Sequence, residues 1–223
     1  MRELERRTHE TILQGATQRG DMKTLLVGVG GMTNGGKSTL SKSLHQQIPN
    51  SCIIAQDSYF KDDSVVPEDD NGFKQYDMLG ALDMDTMMSD IDSWQKDPER
   101  FMRQRDLNPE LTTATDTDVF VLIVEGFLIF NYRPLNELFD RRYFMEIPYD
   151  VCKRRRSVRV YKPPDPSGYF DGYVWPMYLK NRQEMDITVS DIVILDGLKP
   201  KEELLAAVCH DVCEEIERLR EKD

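Results

Sequence analysis

Apolar residues along this chain fall into two kinds of run. Short continuous runs, each closed by glycine or a polar residue, occur at 24–30 (TLLVGVG), 51–56 (SCIIAQ), 119–124, 143–147 and 191–196. Such runs predict strands buried on both faces, as in a parallel sheet. Between them apolar residues recur at helical spacing. Residues 37–47 read as a helix stopped by Pro49, and Met84, Met87, Met88, Ile91 and Trp94 form a stripe that is most simply core packing. Leu205, Val208, Val212, Ile216 and Leu219 give a closing amphipathic helix. Residues 150–161 read as a strongly basic helix, 163–175 (PPDPSGYFDGYVW) as a loop, and 174–185 as a further helix. Residues 97–118, punctuated by Pro98 and Pro109, read as a short helix and a loop. Strands alternating with helices predict an α/β fold, with a mostly parallel central sheet and helices on both faces. The polar residues 1–21 read as a flexible leader. Residues 22–223 read as a single domain with a lid at about 153–175.

Composition narrows the function. With 40 acidic against 29 basic residues the net charge is −11, which argues against nucleic acid or anionic membrane as partner. Any anionic ligand must meet a local cluster of cations. The longest apolar stretch, 119–130, is interrupted by Glu125 and Gly126 and is too short for a membrane span. The N-terminus has no signal-peptide core. Cys52, Cys152, Cys209 and Cys213 form no C-x-x-C pair and read as reduced thiols, so a cytoplasmic protein is expected. A small-molecule enzyme acting as a monomer is the simplest expectation.

Residues 31–38 (GMTNGGKS) fit G-x-x-x-x-G-K-[ST], with a strand leading in and a helix leading out. Small residues let successive backbone N–H groups turn towards phosphates, and the helix adds its positive end. Lys37 is expected to reach the β- and γ-phosphates of ATP, and the Ser38 hydroxyl to ligate Mg²⁺. Gly31, Thr33, Asn34, Gly35, Gly36 and Thr39 complete the expected ATP contacts. Ligands in such sheets sit beyond the carboxyl ends of the strands. Asp57 follows the second strand and Glu125 the third. Asp57 is the better candidate for the catalytic base, Glu125 for Mg²⁺ or its water shell. Lys153, Arg154, Arg155, Arg156 and Arg159 put five cations within seven residues. A phosphate-binding lid explains this cluster better than a nucleic-acid patch in so acidic a chain, with Arg155, Arg156 and Arg159 as the functional members. Tyr59, Phe60, Tyr76, Tyr161, Tyr169, Phe170 and Trp175 fall in loops or at element ends, which suggests a pocket for a ring. A GTPase-like switch would need an N-K-x-D segment, which is absent. Residues 165–168 (DPSG) fit D-x-x-G but lie in the expected lid, and read as chance.

Several longer segments are more specific: GGMTNGGKST (30–39), QDSYF (56–60), NGFKQYD (71–77), VEGFLIFNYRPL (124–135), IPYDVCKRRRSVRVY (147–161), GYFDGYVWPMY (168–178) and ILDG (194–197). In these the chain resembles the nicotinamide riboside kinases, from about Met22 to Leu219. That family is similar to uridine kinases in its P-loop kinase fold. The resemblance implies Mg-ATP-dependent phosphorylation of the ribose 5′-hydroxyl of nicotinamide riboside, and also of nicotinic acid riboside. It implies Asp57 as proton acceptor and Mg²⁺ partner, Ser38 as Mg²⁺ ligand, and Glu125 as a further catalytic or metal-linked carboxylate. It puts Tyr76 and Tyr161 on the two faces of the nicotinamide ring, with Tyr59 and Phe60 nearby. It also puts Asp77 and Arg156 on the ribose hydroxyls, and Arg155, Arg159, Lys199 and Lys201 at ATP. The chain departs from the family pattern at Ser58, where a second acid is usual. The alternatives are a kinase for another nucleoside such as uridine, and a non-catalytic scaffold that keeps the fold.

Overall fold

Nine residues of mostly aliphatic and glycine character, Lys23–Gly31, form strand β1 at the centre of the sheet. In the computed structural model, residues 22–105, 119–161 and 164–221 are described. The expected leader 1–21 and most of the expected loop before the third strand lie outside them. β2 (Ser51–Ala55), β3 (Val119–Gly126), β4 (Arg141–Glu146) and β5 (Ile192–Asp196) complete a five-stranded sheet in the order β2-β3-β1-β4-β5. Every pairing is parallel. The central strands are therefore buried on both faces, so that alternate residues of one strand serve two cores, while the edge strand β5 leaves Val193 and Ile194 exposed.

Leu25, Val27 and Val29 of β1 face one core, with Leu40 and Leu44 of helix α1 (Lys37–Gln47). Leu204, Val208, Val212 and Ile216 of the C-terminal helix Lys201–Glu221 close that side. Leu26 faces the other core, with Met84, Met87, Ile91 and Trp94 of α2 (Met84–Lys96) and Phe101 and Met102 of α3 (Pro98–Gln104). The methionine stripe is thus core. Both helix starts are written in the sequence: the Asp83 and Asp97 side chains accept from the Thr86 and Arg100 amides, and Pro98 opens α3. Leu122 lies at the middle of β3 with no exposure. Leu122→Ala is expected to lower the unfolding free energy by about 2–5 kcal/mol, read from urea denaturation with unchanged slope.

The basic helix is shorter than the sequence predicts. Helix α4 spans Tyr149–Ser157, so Arg159 and Tyr161 lie beyond it and Arg155 and Arg159 do not share a helical face. β-branched Val158 and Val160 and the prolines at 163 and 164 oppose its continuation. The expected loop at 163–175 is also partly helical: a π turn, Phe170–Val174, runs straight into α5 (Trp175–Thr188). β5 then leads to α6, the C-terminal helix already described.

Candidate active site

The register of the sheet sets the site. Val29 and Ala55 both pair with Glu125, so the ends of β1, β2 and β3 stand side by side. At Gly31 the chain leaves β1 with φ 136°, and a Cβ there would lie 2.4 Å from the Met145 carbonyl oxygen. Only glycine fits. The loop turns through a Gly35 N–H to Met32 carbonyl bond of 3.2 Å, and Gly36, at φ 108°, precedes α1. The free N–H groups of α1 are thereby aimed into the cleft. Lys37 Nζ donates to the Met32 carbonyl at 2.9 Å. Burial pushes its pKa below the usual lysine value, while Asp57 and Glu125 hold it up.

Beyond β2, Gln56 is wholly buried, and its Oε1 accepts from the Leu128 amide at 2.9 Å. This ties the turn Gln56–Tyr59 to the end of β3 and leaves Asp57 exposed on the cleft wall. Glu125 is only 8% exposed and lies behind that wall.

The cleft has a volume of about 730 Å³. One end is walled by Thr33, Gly36, Lys37, Ser38, Thr39, Arg155 and Arg159. Phe60, Tyr76, Asp77, Arg156 and Tyr161 line the same space, with Asp57. Asn34, at φ 58°, joins the loop to the segment after α4. Its carbonyl accepts from Arg155 Nη1 at 3.2 Å, its Oδ1 from Arg159 Nη1 at 3.2 Å, and its Nδ2 donates to the Tyr161 hydroxyl at 3.2 Å. The Arg156 and Arg159 guanidinium carbons sit 4.5 and 5.1 Å from the Tyr161 ring centroid. Arg156 forms a fork on Asp165, Nε to Oδ2 at 2.6 Å and Nη2 to Oδ1 at 3.0 Å.

Opposite chemistry comes from the segment before α2. Phe60 packs edge-on to Tyr76 at 5.6 Å and stacks with Phe127 at 5.8 Å. Burial, with the Asp63 carboxylate bound to its hydroxyl, pushes the Tyr76 phenol up to about 12. The Asp77 backbone is held by the Tyr173 hydroxyl at 3.1 Å and by Asn181 Nδ2 at 3.0 Å. Burial pushes the Asp77 carboxyl up to about 7, against the opposing pull of Arg156.

No protein-family model matches the chain. Nicotinamide riboside kinase 1 of Rattus norvegicus is 50% identical to it over 197 residues, 88% of this chain and 98% of the relative. The chain belongs to the nicotinamide riboside kinase family. Nicotinamide riboside kinase 2 of Homo sapiens is 47% identical over 188 residues, 84% of this chain and 80% of the relative. The nicotinamide riboside kinase of Saccharomyces cerevisiae is 28% identical over 206 residues, covering 80% and 86%. Among solved structures, a putative fructose transport system kinase from Silicibacter overlays with a TM-score of 0.52 at 18% identity, over 83% of this chain and 96% of that one. This likeness shows the fold, that of a P-loop kinase.

Within this member of the nicotinamide riboside kinases, Gly31, Gly35 and Glu125 are buried behind the cleft wall, and three further expected contacts, Tyr59, Lys199 and Lys201, also lie off it. Tyr59 turns towards α2, where its hydroxyl donates to Asp90 Oδ2 at 2.6 Å and its ring packs on the core. An apolar ring beside an acceptor on a neighbouring helix is better buried than left in an open cleft. Lys199 pairs with Glu203, and Lys201 lies 3.8 Å from Glu202, both at the solvent-facing start of α6. The backbone of that segment does approach, since the Gly197 carbonyl accepts from Arg155 Nη2 at 3.4 Å. The sequence reading assigned no site role to several wall residues, Lys61, Asp63, Lys74, Phe127 and Asp165 among them. Phe127 directly follows the Glu-Gly end of β3, and Asp165 belongs to the D-x-x-G set aside as chance. Tyr169, read there only as a loop aromatic, also lines the cleft and donates to the Lys74 carbonyl at 2.6 Å.

The residues present fit Mg²⁺. Ser38 and Asp57 offer hard oxygen donors on the wall beside Lys37, and among the described residues no cluster of three or more His, Cys, Asp or Glu forms an all-protein cage. Mg²⁺ is held through one or two side chains together with substrate phosphates and water, so a sparse oxygen set suits it.

Proposed function

We infer that this chain transfers the γ-phosphoryl group of ATP to the 5′-hydroxyl of nicotinamide riboside, giving nicotinamide mononucleotide and ADP. The observation that carries the reading is the single cleft in which the phosphate loop, the Asp57 carboxylate and an aromatic wall meet. Membership of the family supports the acceptor. Asp57 accepts the proton of the 5′-hydroxyl as that oxygen attacks phosphorus. Lys37, Arg155 and Arg159 neutralise the charge on the phosphoryl oxygens. Ser38 and Asp57 hold Mg²⁺, with Glu125 supporting them from behind the wall. When bound, the ion would supply positive charge that offsets the charge of the phosphates during transfer.

Acceptor binding falls to the other end. Asp77 and Arg156 take the ribose hydroxyls, and Tyr76 and Tyr161 flank the pyridinium ring. A cationic ring against tyrosine faces gains on the order of 0.5–2 kcal/mol, which a neutral uracil does not. Product analysis by mass spectrometry, with uridine and nicotinic acid riboside run beside nicotinamide riboside, tests the assignment. A clear preference for uridine removes it. The reading keeps the protein in the cytoplasm, consistent with the free Cys209 and Cys213, whose sulfurs lie 4.0 Å apart. Among the described residues no helix is long and apolar enough to cross a membrane.

Asp77 gives a prediction in pH. Ionised, it is the stronger acceptor for ribose hydroxyls, so kcat/KM is expected to fall as pH drops below about 7, and Asp77→Asn to flatten that limb. The stability effect has the opposite sense. A carboxyl raised from 3.8 to about 7 contributes stability that is complete below about pH 4 and lost as pH rises through about 7. Asp77→Asn is therefore expected to raise the melting temperature at pH 8 while weakening acceptor binding.

A further inference from the structure

We propose that Asp165 sets the charge that the acceptor end of the cleft will take, favouring a cationic pyridinium riboside over its zwitterionic carboxylate analogue. The proposal rests on the phosphoryl-transfer reading above and deepens it. Its starting point is the fork between Asp165 and Arg156, whose side chains are 28% and 10% exposed. Arg156 lies 4.5 Å over the Tyr161 ring and 5.7 Å over the Tyr169 ring, and is charged at every accessible pH. Left alone, that guanidinium would repel a cationic ring arriving between Tyr76 and Tyr161. It would attract a ring bearing a carboxylate.

Asp165 lines the same cleft and cancels this charge at its source. The other nearby carboxylates are poorly suited to the task. Asp77 holds its charge only partly near neutrality, because burial pushes it up to about 7. Asp63 is engaged with the Tyr76 hydroxyl and lies 3.9 Å from Lys74 Nζ. Asp57 stands at the phosphoryl-transfer end. A bidentate fork also fixes the plane of the guanidinium, so Nη1 is left to face Thr33 Oγ1 at 3.4 Å. Asp165 is thus a specificity-determining residue that works through Arg156.

A purely mechanical role, stapling the segment after α4 to that helix, predicts something different. Loss of a staple weakens both acceptors alike. Loss of a charge changes their ratio, because nicotinamide riboside and nicotinic acid riboside differ by one unit of charge. At a separation of several ångströms and an effective dielectric constant of about 20–40, one unit charge changes affinity by about tenfold.

The experiment compares kcat/KM for the two ribosides in wild type, Asp165→Asn and Asp165→Glu, at pH 7 with saturating Mg-ATP. Asp165→Asn is expected to lower kcat/KM for nicotinamide riboside about tenfold. It should leave that for nicotinic acid riboside unchanged or raised, with Asp165→Glu restoring the wild-type ratio. Equal losses on both acceptors, or an unchanged ratio, overturn the proposal and leave the kinase reading standing. A wild-type protein that phosphorylates neither riboside overturns the reading and the proposal together. The Asp165 backbone lies on an exposed loop, and a thermal melt of each variant matching wild type keeps the comparison between folded proteins.

Discussion

Asp57→Ala is expected to lower kcat by about 10²–10⁴ while the Kd for Mg-ATP changes little. The loop that would bind the nucleotide is held by Gly31, Asn34, Gly36 and the start of α1, none of which depends on Asp57. Among the described residues, what the variant loses is the only carboxylate on the cleft wall at the strand ends, since Glu125 is buried behind it. The aliphatic alanine cannot accept the hydroxyl proton, and on the proposed reading Mg²⁺ would lose one of its protein oxygens. Asp57→Asn keeps the shape and the neutral oxygen, and should be nearly as slow, because an amide is not a base. Pre-steady-state measurement with a fluorescent ATP analogue, beside steady-state turnover, separates binding from transfer. A kcat within tenfold of wild type in both variants takes Asp57 out of the base role.

Lys37→Met is expected to lower kcat by about 10²–10³, with a folded protein of near wild-type melting temperature. Lys37 is held at the floor of the loop, its ammonium bound to the Met32 carbonyl at 2.9 Å. Burial alone disfavours this charge, so replacing it by an isosteric thioether removes a desolvated cation at little cost to folding. Catalysis loses the positive charge nearest the phosphates. Lys37→Arg should recover little, because a planar guanidinium does not reproduce the compact point charge of an ammonium. Circular dichroism melts set beside kcat distinguish this outcome from simple unfolding.

The fold was largely legible because its signals are local and strong. Five short apolar runs and a glycine loop ahead of Lys37 each specify one element, and the structure has all of them. The phosphate end of the site was legible for the same reason, since G-x-x-x-x-G-K-S is contiguous. The acceptor end is assembled from segments far apart in sequence, and there the reading was weaker. Tyr59 and Phe60 are adjacent, yet one donates to Asp90 behind the wall and the other stacks with Phe127 in front of it. Adjacent residues in a short turn diverge, and sequence spacing alone does not say which faces the cleft. Lys199 and Lys201 had the right charge, but i,i+4 pairing with Glu203 and solvation at a helix start hold them elsewhere. Asp165 was hidden because its partner Arg156 lies across a bend in which α4 ends at Ser157, four residues earlier than the basic run suggested.

The central claim is that one cleft delivers the γ-phosphoryl group of ATP to the 5′-oxygen of nicotinamide riboside. Phosphorus NMR of the product, formed from purified protein, Mg-ATP and nicotinamide riboside, tests it most directly. The account predicts one new phosphomonoester resonance, coupled through three bonds to the two 5′-methylene protons, appearing in step with ADP. Release of inorganic phosphate without that resonance, or coupling to a 2′ or 3′ proton instead, would contradict it.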